Sequence, residues 1–170
     1  MRNNIQSSKT EYSFIASQLS PSVSQLTYGR ANRTVDKVGC GILAVYNALV
    51  CYGEPRAFSE LLAMMERLRM PWLFGFFGTK PFCLSKLCRR LNIPFRKYYS
   101  AKHFANDLTH AHAGIVCSWN PRLNGIHFYC VYYSENEKCI YSLNYYQQST
   151  PAVISPSVFV QRRWIVGYLI

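Results

Sequence analysis

The sequence predicts an α+β domain in which helices come first and an antiparallel sheet follows. Three observations carry this reading. A long apolar helical pattern starts at Cys40 and stops at Gly53. Two further helical segments follow before Leu91. Beyond Pro94 the chain changes to short β-branched and aromatic runs separated by turn residues.

The elements are justified in order. Residues 1–27 are rich in Ser, Gln and Asn and weakly periodic, and read as an N-terminal arm with one short helix near Tyr12 to Gln18. The domain proper is expected over 28–170. Gly39-Cys40-Gly41 allows a tight turn and a close backbone approach. Ile42, Leu43, Val45, Leu49 and Val50, with small Ala44 and Ala48, then form a buried helix that Gly53 ends. A second helix opens at Phe58, with Ser59 as its cap, and runs to about Met70 before Pro71. Trp72 to Thr79 is a Gly-rich aromatic loop, and Thr79 caps a third helix from Pro81 to Leu91. Strands are expected at Phe95 to Tyr99, Gly114 to Trp119, Ile126 to Tyr133, Lys138 to Leu143 and Trp164 to Ile170. A short helix is expected at Ala101 to Leu108. Ser134-Glu135-Asn136-Glu137 forms the turn of a hairpin.

Composition narrows the function classes. The chain has 170 residues, 49% apolar and 16% charged, which suits one globular domain with its own core. No run is apolar for long enough to span a bilayer, and Met1 to Gln18 lacks the layout of a secretory signal, so a cytoplasmic protein is expected. The seven cysteines are an odd number without a CxxC pair. They read as reduced thiols, most of them in the core. His110 and His112 lack a matching cysteine pair, so no metal is expected, and no cofactor either. The formal net charge is +11, and seven Lys or Arg lie between Lys80 and Lys102 without an acid. Such a run attracts an anionic partner: nucleic acid, acidic lipid or acidic peptide. It is also what a solvated basic face looks like. No nucleic-acid motif accompanies it, so nucleic acid is not the partner expected.

The candidate chemistry starts at Cys40. A thiol is a good nucleophile only when ionised, and the unpaired N–H groups of a helix start favour ionisation. On that local sequence its pKa is expected below the ordinary value. The same N–H groups suit an oxyanion. A nucleophile needs an imidazole in reach. His127 follows Asn124-Gly125-Ile126 and opens the most apolar strand, a strand-mouth setting that His103, His110 and His112 lack. A third group must orient the ring. Asn144 ends the strand that pairs with the His127 strand, so a hairpin turning near Asn136 sets the two residues almost opposite. Ser142 and Gln147 are the fallbacks.

The run Gly39-Cys40-Gly41-Ile42-Leu43-Ala44-Val45-Tyr46-Asn47-Ala48-Leu49 resembles the nucleophile helix of the bacteriocin-processing, double-glycine peptidases, a family of papain-like cysteine peptidases. Gly125-Ile126-His127-Phe128-Tyr129-Cys130-Val131 resembles that family's Gly-His-aliphatic strand, with Ile126 inserted between Gly and His. Ser142-Leu143-Asn144 resembles the position of its Asp. The likeness covers roughly residues 28–150. It implies a papain-like fold and a cysteine peptidase acting on a peptide or protein through an acyl-enzyme. Cys40 is then the nucleophile, His127 the base and Asn144 its orienter.

One departure from the family concerns the oxyanion donor. The family carries a Gln six residues before the Cys, as an oxyanion donor, and here Thr34 stands there. Asn32 and Gln25 are the alternative donors. The departure keeps open a second reading, a catalytically idle papain-like fold that binds or regulates. A third reading is a basic interaction protein in which Cys40 is structural.

Overall fold

The computed structural model describes residues 13–120, 125–145, 149–161 and 163–170. The elements run β1 (Thr27–Tyr28), β2 (Arg33–Thr34), α1 (Val35–Val38), α2 (Cys40–Tyr52), α3 (Phe58–Arg67), α4 (Leu84–Arg90), β3 (Arg96–Tyr98), α5 (Ala101–Asp107), β4 (Gly114–Asn120), β5 (Gly125–Ser134), β6 (Cys139–Leu143), β7 (Ala152–Ile154), α6 (Ser157–Gln161) and β8 (Arg163–Leu169). The expected α+β order is what the chain adopts. Strands β3 to β8 form one sheet in the order β3-β8-β4-β5-β6-β7, and every neighbouring pair is antiparallel. Among the described residues, no helix is long and apolar enough to cross a membrane.

The sheet separates two cores. On one face α2 packs against β4 and β5. Every residue from Gly41 to Leu49 is buried there, because a helix apolar all round can only sit inside. Its partners from the sheet include Ile115, Cys117, Phe128 and Cys130. On the other face Val116, Tyr129 and Val131 join Phe104 of α5 and Phe159 of α6. This two-sided burial explains why β5 reads as a continuous apolar run rather than an alternating one. Gly41 admits the neighbouring loop: a Cβ there would lie 2.4 Å from the Thr79 hydroxyl. Gly53 ends α2 in the left-handed region, with φ 83°.

Several boundaries differ from expectation for visible reasons. Thr79 does not cap a helix. It is buried, and its hydroxyl is 3.1 Å from that of Tyr28, so α4 begins only at Leu84. Helix α3 starts one residue before Ser59, with Ala57 in the capping position. It ends at Arg67, and a tighter turn carries the chain to Met70. The small ribbon β1–β2, strand β7 and helix α6 escaped the sequence reading; each has five residues or fewer.

The segment from Ser13 is tied to the domain. Ser13 to Ser17 holds no helical turn. Asn47, fully buried in α2, clasps it as a strand would: its Oδ1 accepts from the Ile15 N–H at 2.9 Å, and its Nδ2 donates to the Ile15 carbonyl at 2.8 Å. The Tyr46 hydroxyl donates to the Ser13 carbonyl at 3.0 Å, and Val23 is in the first core. Residues 1–12 lie outside the described residues.

The run from Lys80 to Lys102 does not present one uniform face. Lys86, Arg89 and Arg90 point outward from α4, whose Leu84, Leu87 and Cys88 are buried. Arg96 is paired with Asp107 at 3.1 Å. The Lys97 ammonium lies over the rings of Phe82 and Tyr99, at 5.0 and 4.9 Å.

The Asn47 clasp gives a direct test. Asn47→Ala leaves both backbone groups of Ile15 without their partner, at a cost of about 2 kcal/mol or more. The urea midpoint should fall, and protease cleavage near Ser13 to Ser20 should accelerate at denaturant levels that leave the unmodified chain intact.

Candidate active site

Cys40 is the first residue of α2, and Gly39 before it supplies no side-chain cap. The first turn of the helix carries no acid. Its leading N–H groups are therefore open to a thiolate or an oxyanion. The thiol lies against the backbone N–H groups of Phe128, Gly41 and Cys40 itself. Phe128 directly follows His127, so the packing of α2 on β5 sets the sulphur against the strand backbone one residue from His127.

The ionisation of Cys40 departs from the sequence expectation. The residue keeps partial solvent contact, yet its sulphur is enclosed enough that burial pushes the thiol above its ordinary pKa. The N–H groups of Phe128 and Gly41 act the other way and do not offset it. Tyr28 and Cys117 stand close enough that charge on Cys40 would raise their own pKa values. The helix start favours the thiolate, but the lid of neighbours over it favours the neutral thiol.

His127 is buried, on β5, paired with Ser118 of β4. Its ring runs nearly parallel to that of Tyr129, with centroids 6.2 Å apart and planes 21° apart. Its Nε2 lies 2.6 Å from the backbone carbonyl of Asn144. A carbonyl only accepts, so Nε2 carries the hydrogen and Nδ1 of the neutral ring holds the lone pair. The hydroxyl of Ser118 is buried and has no hydrogen-bond partner among the described residues.

Asn144 meets the ring with its backbone, not with the side chain the sequence nominated. The hairpin register pairs Cys130 with Leu143, so Asn144 falls level with Tyr129 rather than with His127. Asn144 leaves the strand in the left-handed region, φ 64°, and this turns its carbonyl toward the imidazole. Its Oδ1 accepts from the Gln18 N–H at 3.3 Å, and its Nδ2 donates to Gln18 Oε1 and the Phe128 carbonyl, each at 3.4 Å. Of the fallbacks, Ser142 donates to the Ala152 carbonyl at 3.4 Å. Gln147, like Asn124, lies outside the described residues.

Among the described residues, no hydrogen bond joins the side chains of Gln25, Asn32 or Thr34 to the start of α2. Gln25 and Asn32 are exposed, and Thr34 is half-buried just before α1. The polar side chain that does approach is Gln18, which sequence reasoning missed. It is buried, and its Nε2 donates at 2.5 Å to the carbonyl of Asp36, four residues before Cys40. The one local signal was a Gln beside Ile15 and Ala16, too weak to set it apart. No group of three His, Cys, Asp or Glu converges as a metal site among the described residues. All seven cysteines are free thiols.

No protein-family model and no curated protein matches the sequence. Among solved structures, the chain is similar to the peptidase domain of Streptococcus ComA, a bi-functional ABC transporter involved in a quorum-sensing pathway. The TM-score is 0.53 at 19% identity, over 76% of this chain and 88% of that one. This likeness establishes the fold of a papain-like peptidase domain, and at that identity it speaks to the fold alone.

The enclosed thiol sets a pH profile. Iodoacetamide labelling of Cys40, read per residue by mass spectrometry, should be slow at neutral pH. It should still be climbing above pH ~8.5, where an ordinary free thiol begins to level off. A plateau below that value would show the thiolate to be stabilised at rest.

Proposed function

We propose that this chain is a cysteine peptidase or related amide hydrolase, with Cys40 as nucleophile and His127 as general base. The observation that carries the reading is the seating of the Cys40 thiol against the peptide N–H that follows His127. The carbonyl clamp on Nε2 supports it, because it leaves Nδ1 as the basic atom of the ring.

Because burial favours the neutral thiol, attack and proton transfer belong to one step rather than to a standing ion pair. The sulphur bonds to the scissile carbonyl carbon as Nδ1 takes its proton. The carbonyl π pair moves onto oxygen, and the leading N–H groups of Cys40 and Gly41 stabilise that oxyanion. When the intermediate collapses, the C–N bond breaks and Nδ1 returns the proton to the departing amine. Water then attacks the thioester, with Nδ1 as base again, and releases the acid. The Asn144 carbonyl stabilises the imidazolium through Nε2–H, the role a carboxylate has in other triads. The substrate class is a peptide or protein.

A second reading has its own support. The raised thiol pKa and the absence of Gln at position 34 both suit a peptidase fold that binds peptides without cutting them. Treatment with a peptidyl vinyl sulfone separates the two. The hydrolase reading expects a covalent adduct on Cys40 and turnover of a peptide library. His127→Ala should lower turnover by about 10²- to 10⁴-fold. Asn144→Gly keeps the carbonyl and the left-handed backbone but loses the side-chain bonds to Gln18 and Phe128, so it should lower turnover, though less than Asn144→Val, which also disfavours that backbone. Peptide binding without an adduct would select the second reading.

A further inference from the structure

The segment between Pro71 and Thr79 exposes five large apolar side chains in six positions. Trp72 is 40% exposed, Leu73 54%, Phe74 64%, Phe76 57% and Phe77 61%. Their backbone is held firmly. The Trp72 N–H donates to the Gly78 carbonyl at 2.7 Å, Phe76 N–H to Leu73 at 3.1 Å, and Ala31 N–H to Phe74 at 2.9 Å. Leu73 and Phe74 sit at φ 43° and 60°, a region bulky residues adopt only when their surroundings impose it. Hydrogen bonding therefore holds these side chains outward in water, where each would otherwise fold back for burial.

Cations surround this tip. Arg30, Arg67, Arg69 and Lys80 are all exposed, and with Trp72, Leu73 and Phe74 they line a groove of about 1060 Å³. The acid in that lining, Glu66, is engaged by the Gly29 N–H at 2.6 Å. Of the four cations, only Lys80 belongs to the basic run that ends at Lys102.

We propose that this tip docks the protein on an anionic lipid bilayer, with Trp72 to Phe77 inserted among the headgroups and the four cations on the lipid phosphates and carboxylates. Three features select a bilayer over a soluble partner. The five exposed apolar side chains crowd one short turn, and a fluid interface can take all of them at once. Trp and Phe beside Arg and Lys is the composition of the headgroup region. The neighbouring rings of Trp72 and Phe77 are tilted by 53° rather than stacked in parallel, which does not suit a platform for nucleobases.

The test is flotation of the full chain with phosphatidylcholine vesicles, with and without phosphatidylserine, at low and physiological salt. Binding is expected to vesicles that carry phosphatidylserine and to weaken with salt. Leu73→Ser/Phe74→Ser should reduce it at least about tenfold, and Arg67→Ala/Arg69→Ala should remove most of the lipid-charge dependence. Circular dichroism confirms the fold of each variant. In the unmodified chain, brominated acyl chains should quench Trp72, and Trp72→Phe should abolish that quenching. Cys40→Ala should bind vesicles as the unmodified chain does. Failure to float with phosphatidylserine vesicles would overturn the proposal. So would equal binding to uncharged vesicles, unchanged binding by the Leu73/Phe74 variant, absence of quenching, or binding confined to acidic peptides or nucleic acid.

Discussion

The arrangement of the site depends on one residue held in an unusual backbone conformation. Asn144 stands at φ 64°, where asparagine is tolerated better than most residues. Five hydrogen bonds converge on it. Its N–H donates to the Ala16 carbonyl at 2.8 Å, its side chain exchanges bonds with Gln18 and donates to Phe128, and its carbonyl receives His127. The N-terminal segment, the end of β6, the backbone of β5 and the imidazole are thereby fixed relative to one another. The orientation of the ring is thus a property of the N-terminal segment as much as of the hairpin.

The fold was legible where the pattern is local. The Gly-flanked cysteine, the apolar helix after it and the stop at Gly53 are all encoded within a few turns of chain. The hairpin register was nearly legible. Its true pairing differs from the expected one by two positions, and because strand side chains repeat every two residues, the faces were preserved. That is why Asn144 was found on the correct strand end while the group it offers was not. Whether a residue presents its amide or its carbonyl depends on one φ angle, and hydrophobic periodicity does not report φ.

The less legible parts are those set by distant neighbours. Gln18 meets Asn144 across 126 positions of sequence, and no short motif announces such a pairing. The thiol pKa shows the same division. The helix start that lowers it is visible at residues 39–41, whereas the burial that raises it comes from packing against other elements, β5 among them. Thr79 looked like a helix cap because nothing near it shows that Tyr28 claims its hydroxyl. Strand β7 and helix α6 are too short for periodicity to register.

Strand β8 lies between β3 and β4, although it is the last element of the described chain. Both edges that it joins are made more than forty residues earlier in sequence, and until it arrives they have no partner. A nascent chain emerging from the ribosome would therefore expose α2 with only part of its platform: Val166 and Tyr168, which share its core, are made long after it. The hairpin that carries His127 can form early, but the sheet that supports it cannot close until β8 has been made. Closure of the sheet thus waits on pairings between distant segments, with the slow assembly that long-range β contacts bring. A chaperone that shields unpaired strand edges has its longest task here between the emergence of β4 and that of β8.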